Sequence, residues 1–173
     1  MNDTSPARLS QLFQLVTEQI DSPQMLLLAD QPEPILERLR AKKLSRARQI
    51  EGLAVTGVIA DLGVLGDQRW PLVCLLEPNI SKPSLIKLLA RVRDLHADRV
   101  IHVNNTKMTD TGWTLADSLA LGFSEMDNSA IAEPLSEHGL QIFEFDIRSY
   151  KPAPDWLNAK NWANPEQWDK RRW

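Results

Sequence analysis

Glycine, histidine and cysteine are all scarce in this chain of 173 residues, which has seven, three and one of them. No glycine precedes Gly52. The stretch after the first apolar run, Asp30-Gln31-Pro32-Glu33-Pro34, therefore lacks the residue that lets a backbone turn tightly and approach a phosphate or a nucleotide. Pro32 and Pro34 also withhold two backbone N–H donors from that stretch. The closest glycine pair, Gly63 and Gly66 in DLGVLGD, has no following Lys-Ser/Thr and reads as an ordinary turn. His96, His102 and His138 lie 6 and 36 residues apart, with no metal-binding helical spacing, so no metal is expected. His102 falls within an apolar strand and reads as a hydrogen-bonded core imidazole. Gly122-Phe123-Ser124 runs on into Glu125 rather than a second glycine at the nucleophile-elbow spacing, so no catalytic serine is assigned. The lone Cys74 cannot form an intramolecular disulfide. The opening MNDTSPARLS has neither a basic start nor an apolar stretch, and a cytoplasmic chain is the expectation. No apolar run approaches the roughly 18 residues of a membrane span. Positive charge is not in excess: 20 basic against 23 acidic residues give a net charge of -3, so no global field draws nucleic acid or an anionic membrane.

What the chain does contain suits one folded domain. Hydrophobic residues make up 43% and charged residues 25%, ordinary globular usage with enough apolar surface for a core. Ser5-Pro6 followed by Leu9, Leu12, Phe13, Val16 and Ile20 predicts an amphipathic helix ending near residue 21. Met25 to Ala29 is a short unbroken apolar run, the pattern of a strand covered on both faces. Pro34 opens a helix with the stripe Ile35, Leu36 and Leu39, ending near Lys43. Val55 to Leu62 predicts a second strand and Pro71 to Leu76 a third. The clearest helix follows Ser81-Lys82-Pro83, with Leu85, Leu88, Leu89, Val92 and Leu95 on one face. Arg99 to Val103 then predicts a strand, completing a strand, helix, strand unit that requires parallel pairing. A helix carrying Leu115, Leu119 and Ala120 ends at Gly122, and Phe123 to Met126 is a further short strand candidate. In Leu140 to Ile147, Phe143, Phe145 and Ile147 alternate with Glu144 and Asp146, which predicts an antiparallel strand near a sheet edge. The fold class is α/β: a three-layer, Rossmann-like, mostly parallel sheet with a C-terminal antiparallel strand pair.

On that layout Asp30, Asp61 and Glu77 stand at or near strand carboxyl ends, joined there by Asn104 and Asn105. Open α/β sheets place ligands at that edge, so these five are the ligand-binding candidates. The competing reading is that they cap helices and solvate loops. Between Arg38 and Arg48, six of eleven residues are Lys or Arg, which suits the carboxyl end of a helix and offers a local phosphate contact.

Six of the eleven aromatic residues are Trp, and Trp156, Trp162, Trp168 and Trp173 all fall in the last 18 residues. Asp155 before Trp156, and Asn164-Pro165 with Gln167, predict two short helical turns. The spacings of six, six and five residues do not share one helical face. Residues 1–150 are thus assigned to a single α/β domain and 151–173 to a Trp-rich tail packing on the domain or on a partner. Trp156, Trp162, Trp168, Arg171, Arg172 and Trp173 are the interface candidates, for a protein partner or a homodimer.

The ending YKPAPDWLNAKNWANPEQWDKRRW, with LLARVRDLHADRVIHV earlier, resembles a family of short bacterial proteins of unknown function that share such a Trp-rich terminus. More distantly, the layout is similar to the S-adenosylmethionine-dependent methyltransferase fold, shortened: strand 71–76, helix 83–95, strand 99–103, the helix before Leu121-Gly122-Phe123, and the final antiparallel pair. The resemblance implies an S-adenosylmethionine site, which the proline-bearing stretch at 30–34 contradicts. Asp61 also lies 31 residues after Asp30, beyond the customary spacing of about twenty. The leading expectation is a methyltransferase-like domain without the usual cofactor loop, acting as a binding or regulatory protein and holding no cofactor. The alternatives are an active S-adenosylmethionine-dependent methyltransferase with an unusual loop, and a nucleic-acid-associated module using Arg38 to Arg48 and the tail.

Overall fold

Alternate side chains of the first strand, β1 (Gln24–Ala29), point to opposite faces, and both faces are buried: Met25, Leu27 and Ala29 on one, Leu26 and Leu28 on the other. A strand of this kind must lie inside a sheet with helices on both sides. The computed structural model, which describes residues 13–14, 22–42, 49–76, 78–105, 112–126 and 139–150, has that arrangement. The helix α1 (Pro32–Lys42) lays Ile35, Leu36 and Leu39 on the Leu27 face, joined there by Phe13. On the Leu28 face lie α2 (Val55–Ala60) and α3 (Lys82–Arg91), through Val55, Val58, Leu85, Leu88 and Leu89. Phe13 and Gln14 are helical, as the N-terminal stripe predicts, and the rest of that predicted helix lies outside the described residues.

The remaining strands are β2 (Gln49–Ala54), β3 (Trp70–Leu76), β4 (Ala97–Asn105), β5 (Ser124–Glu125) and β6 (Leu140–Asp146). Their order in the sheet is β2-β1-β3-β4-β6-β5. The first four are parallel, with Leu27 opposite Gly52 on one side and Cys74 on the other. β6 is antiparallel to both β4 and β5, as its alternating pattern predicts. Two further short helices are α4 (Leu115–Ala120) and α5 (Ile147–Tyr150). The chain leaves β1 toward β2 with α1 on one face, then returns past β1 to β3 with α2 on the other. That change of face is what right-handed crossovers running in opposite directions require.

Two predicted elements differ from the structure. Val55 to Leu62 is not a strand: residues Val55–Ala60 are helical, Leu62–Leu65 form a 3-10 turn, and the strand is the preceding Gln49–Ala54. Burial of Val55 and Val58 against the sheet outweighs the low helix propensity of a segment with two valines, a threonine and a glycine. Leu95 is 49% exposed, although the helical stripe places it inside. A π-helical turn over Val92–His96 closes α3, and its extra residue per turn rotates the face so that His96 is buried instead.

Gly52 sits under the start of α1, where a Cβ would lie 2.7 Å from Leu36 Cδ1 and 2.9 Å from the Pro32 Cβ. Gly52→Ala sets overpacking, about 1–3 kcal/mol, against an unfolded-state gain of about 0.4–1 kcal/mol. The pyrrolidine cannot swing aside, so overpacking wins. Denaturant unfolding should show a net loss on the order of 1 kcal/mol at unchanged m-value.

Candidate functional site

Because β1 connects outward to β2 and β3 connects the other way to β4, the topological switch point lies between β1 and β3. Ligands of open α/β sheets bind outside the carboxyl ends of the strands at such a point. In this chain the residues there are Asp30 and Gln31 after β1, and Pro78 and Asn79 beyond β3.

Asp30 lies where the sequence places it, and it is turned to an internal partner. Its carboxylate accepts the backbone N–H of Asn79, with Oδ2 at 3.3 Å and Oδ1 at 3.5 Å, so a long, shared hydrogen bond between two exposed residues links the segments that follow β1 and β3. Partial withdrawal from water holds the Asp30 pKa above the ordinary carboxylate value, against the lowering effect of the Asn79 N–H. Only Asp30 and Gln31 separate β1 from α1, so no loop is left to wrap a ligand. Pro32 and Pro34 contribute no N–H at the start of α1, and Glu33 adds a negative charge in its first turn, where an anion would otherwise be favoured.

Asp61 is not at a strand end. It follows α2, and its side chain accepts the Gly63 backbone N–H at 2.8 Å, capping the 3-10 turn. The misplacement follows from the misread strand: β2 ends at Ala54 and passes directly into α2, so no carboxylate closes β2. Asn104 and Asn105 do end β4 and are 7% and 4% exposed. Strand alternation puts Asn104 on the His102 face and Asn105 on the Ile101 face, so the two do not converge on one ligand. Glu77 and the tail residues Trp156, Trp162, Trp168, Arg171, Arg172 and Trp173 lie outside the described residues, as do Lys43, Arg46 and Arg48 of the basic run. Arg38 and Arg40 are exposed on α1, with Arg40 4.0 Å from Glu33.

Asn79 and Trp113 were not legible as site residues. Asn79 acts through its backbone and carries no side-chain signal. Trp113 follows Gly112 and stands edge-on to His102, with ring centroids 5.4 Å apart and planes at 86°. The indole N–H donates to Ser118 Oγ at 2.9 Å. His102 is a core imidazole, but the expected hydrogen bond is not found: among the described residues both ring nitrogens are buried without a partner. Cys74 is fully buried beneath the sheet, and burial raises its thiol pKa well above the usual range. Among the described residues no cluster of three or more His, Cys, Asp or Glu side chains is placed to hold a metal ion. Among the same residues no helix is long and apolar enough to cross a membrane.

The sheet order, with a late strand inserted antiparallel beside β4, defines a Rossmann-like, methyltransferase-like fold in shortened form. Residues 7–173 match the family of unknown function DUF6231, and the chain belongs to that family. Among curated proteins none matches the sequence. The N-methyltransferase NodS from Bradyrhizobium japonicum, solved with S-adenosyl-L-homocysteine, is 12% identical, with a TM-score of 0.47 over 83% of this chain and 88% of its own. A cyclopropane-fatty-acyl-phospholipid synthase-like protein from Lactobacillus casei is 13% identical, with a TM-score of 0.42 over 58% of this chain; the match spans half of that protein. A protein of the NADB-Rossmann superfamily from Streptococcus agalactiae is 12% identical, with a TM-score of 0.40 over 94% of this chain and 82% of its own. At these values the strand order, not the likeness, carries the fold assignment.

The fold family implies S-adenosylmethionine, and the residues present do not fit it. A glycine turn is replaced by Asp30-Gln31-Pro32, no acid ends β2, and the space over Gly52 is filled by Leu36 and Pro32.

Proposed function

We propose that this chain is a non-enzymatic binding or regulatory protein built on a methyltransferase-like sheet whose cofactor crevice is occupied by its own residues. The observation that carries this reading is the turn from β1 into α1: two residues long, entered by a proline, and tied across the switch point from Asp30 to Asn79. A turn without glycine, with two prolines and with the Asp30 carboxylate engaged by the Asn79 N–H, offers few of the backbone donors that an adenosyl ligand needs. Thermal-shift measurements with S-adenosylmethionine and S-adenosylhomocysteine at millimolar concentration test it, because a ligand that binds the native state raises the melting temperature. No shift is expected. A saturable shift would restore the enzyme reading.

Binding is assigned to the surface rather than the crevice, and the Trp-rich segment 151–173 is its proposed centre. Trp and Arg are the residues that dominate protein–protein contacts, and this segment combines four Trp with Arg171 and Arg172. If the segment also seals the domain, deleting 155–173 lowers the melting temperature by roughly 2–4 °C for each kcal/mol lost. A deletion that leaves the melting temperature unchanged but abolishes self-association or partner binding assigns the segment to an interface alone.

A further inference from the structure

His102 has no exposed surface, and among the described residues neither of its ring nitrogens finds a donor or acceptor. Its in-register neighbours are Leu75 on β3 and Phe143 on β6, with the Phe143 ring centroid 6.1 Å away. The Trp113 ring also stands against His102, with its plane at 86° to the imidazole. Such a site accepts a neutral imidazole and rejects a charged one, and burial alone lowers the His102 pKa to about 3.

Several charged groups on the surrounding elements are engaged, while Lys87 and Arg91 stand exposed on α3. Lys82 on α3 pairs with Asp117 on α4 at 2.8 Å. Arg93, in the π-helical turn, lies 5.7 Å from the centre of the Phe145 ring and bonds Asp94 and the Leu121 carbonyl. Arg99 and Glu144, on β4 and β6, pair with each other and by strand alternation face the opposite side of the sheet. β3 presents only Leu75 in register with His102.

The segment carrying Trp113 has the build of a unit. The Trp113 indole bonds Ser118, and Thr114 and Asp117 form a reciprocal capping box, so its shape is maintained from within. Lys82 ties it to α3 through Asp117 and through the Gly112 carbonyl at 3.4 Å. Leu115 and Leu119 face outward, 43% and 55% exposed, so α4 presents little apolar surface to the sheet.

We propose that Gly112–Ala120 is a proton-operated flap: closed, it seals a neutral His102 under Trp113; open, it lets His102 take a proton from solvent that keeps the flap off the sheet. The flap stands whether or not the crevice binds an adenosyl ligand.

The sign follows from the two environments. An exposed imidazole titrates near 6.5, and the closed one does so only far below that. Closure is therefore fully favoured above pH 6.5, and the opening constant rises about tenfold per pH unit below it. Asp117 does not share this window, because Lys82 and Thr114 hold its pKa below the usual carboxylate value and it stays ionised.

Amide hydrogen exchange on the full chain between pH 7 and 5, corrected for intrinsic rates, tests the flap. Amides of 112–120 should show the opening constant rising about tenfold per unit below pH 6.5, while amides of β1 and β3 do not change. His102→Phe, which keeps a flat ring between Trp113 and Phe143, should abolish the slope. A pH-independent flap in the native chain, or a slope that survives His102→Phe, overturns the proposal. Should that variant fail to fold, carbon–proton NMR of the His102 ring in the native chain decides. A ring that stays neutral in the closed form at pH 5 while the 112–120 opening constant rises supports the flap, and simple titration near 6.5 with unchanged 112–120 amides contradicts it.

Discussion

Trp113→Ala is expected to cost about 3–5 kcal/mol, the range for truncating a large buried aromatic. The indole is 8% exposed, fills the space between His102 and Ser118, and is the hydrogen-bond donor to a fully buried hydroxyl. Its removal leaves a cavity, an orphaned Ser118 Oγ and a route for water to His102. Urea unfolding at pH 7 measures the loss. A cost below about 1 kcal/mol would mean that the segment around α4 adds little to the fold, since surface substitutions stay within about 0.5 kcal/mol.

Leu27→Asp is expected to unfold the protein at neutral pH. Leu27 lies at the centre of β1, opposite Gly52 and Cys74, in a buried cluster made of apolar side chains and one thiol. An unpaired carboxylate there loses its hydration without a partner, and the penalty of more than about 4 kcal/mol consumes much of the 5–15 kcal/mol that stabilises a domain. Leu119→Asp is the control: at 55% exposure it should change stability by no more than about 0.5 kcal/mol. Far-UV circular dichroism distinguishes the two variants directly. If Leu119→Asp were as damaging as Leu27→Asp, the outward face of α4 would be wrong.

Leu27 and Leu119 mark the boundary of what periodicity conveys. Strands buried on both faces announce themselves as unbroken apolar runs, so β1 and β3 were legible, and β6 was legible through its alternation. The α3 stripe held as far as Val92, after which the π-helical turn changed the phase and exchanged Leu95 for His96. Leu115 and Leu119 share a helical face by spacing, yet the buried residue of α4 is Ser118, chosen by the Trp113 indole rather than by hydropathy. The Val55 segment misled because β-branched residues favour strands, whereas the true strand, QIEGLA, carries a glutamate and a glycine that argue against one. Gly52 is there because α1 packs against it, a tertiary reason that no local pattern contains.

The candidate site was legible in part for the same reason. Asp30 follows directly from the end of a clear strand, and Asn104 and Asn105 from the end of another. Asp61 moved with the misread strand, from a ligand candidate to a turn cap. The Asn79 contact is made by a backbone N–H, and the pairing of His102 with Trp113 joins residues of two different segments. Neither leaves a trace in residue spacing.

The most direct test of a crevice filled by its own residues is isothermal titration calorimetry of the full chain with S-adenosylhomocysteine at millimolar ligand and neutral pH. The structure of the β1–α1 turn predicts no heat beyond dilution. Saturable heat, lost when the Asp30 carboxylate is extended by Asp30→Glu, would place an adenosyl ligand in the crevice and contradict the account.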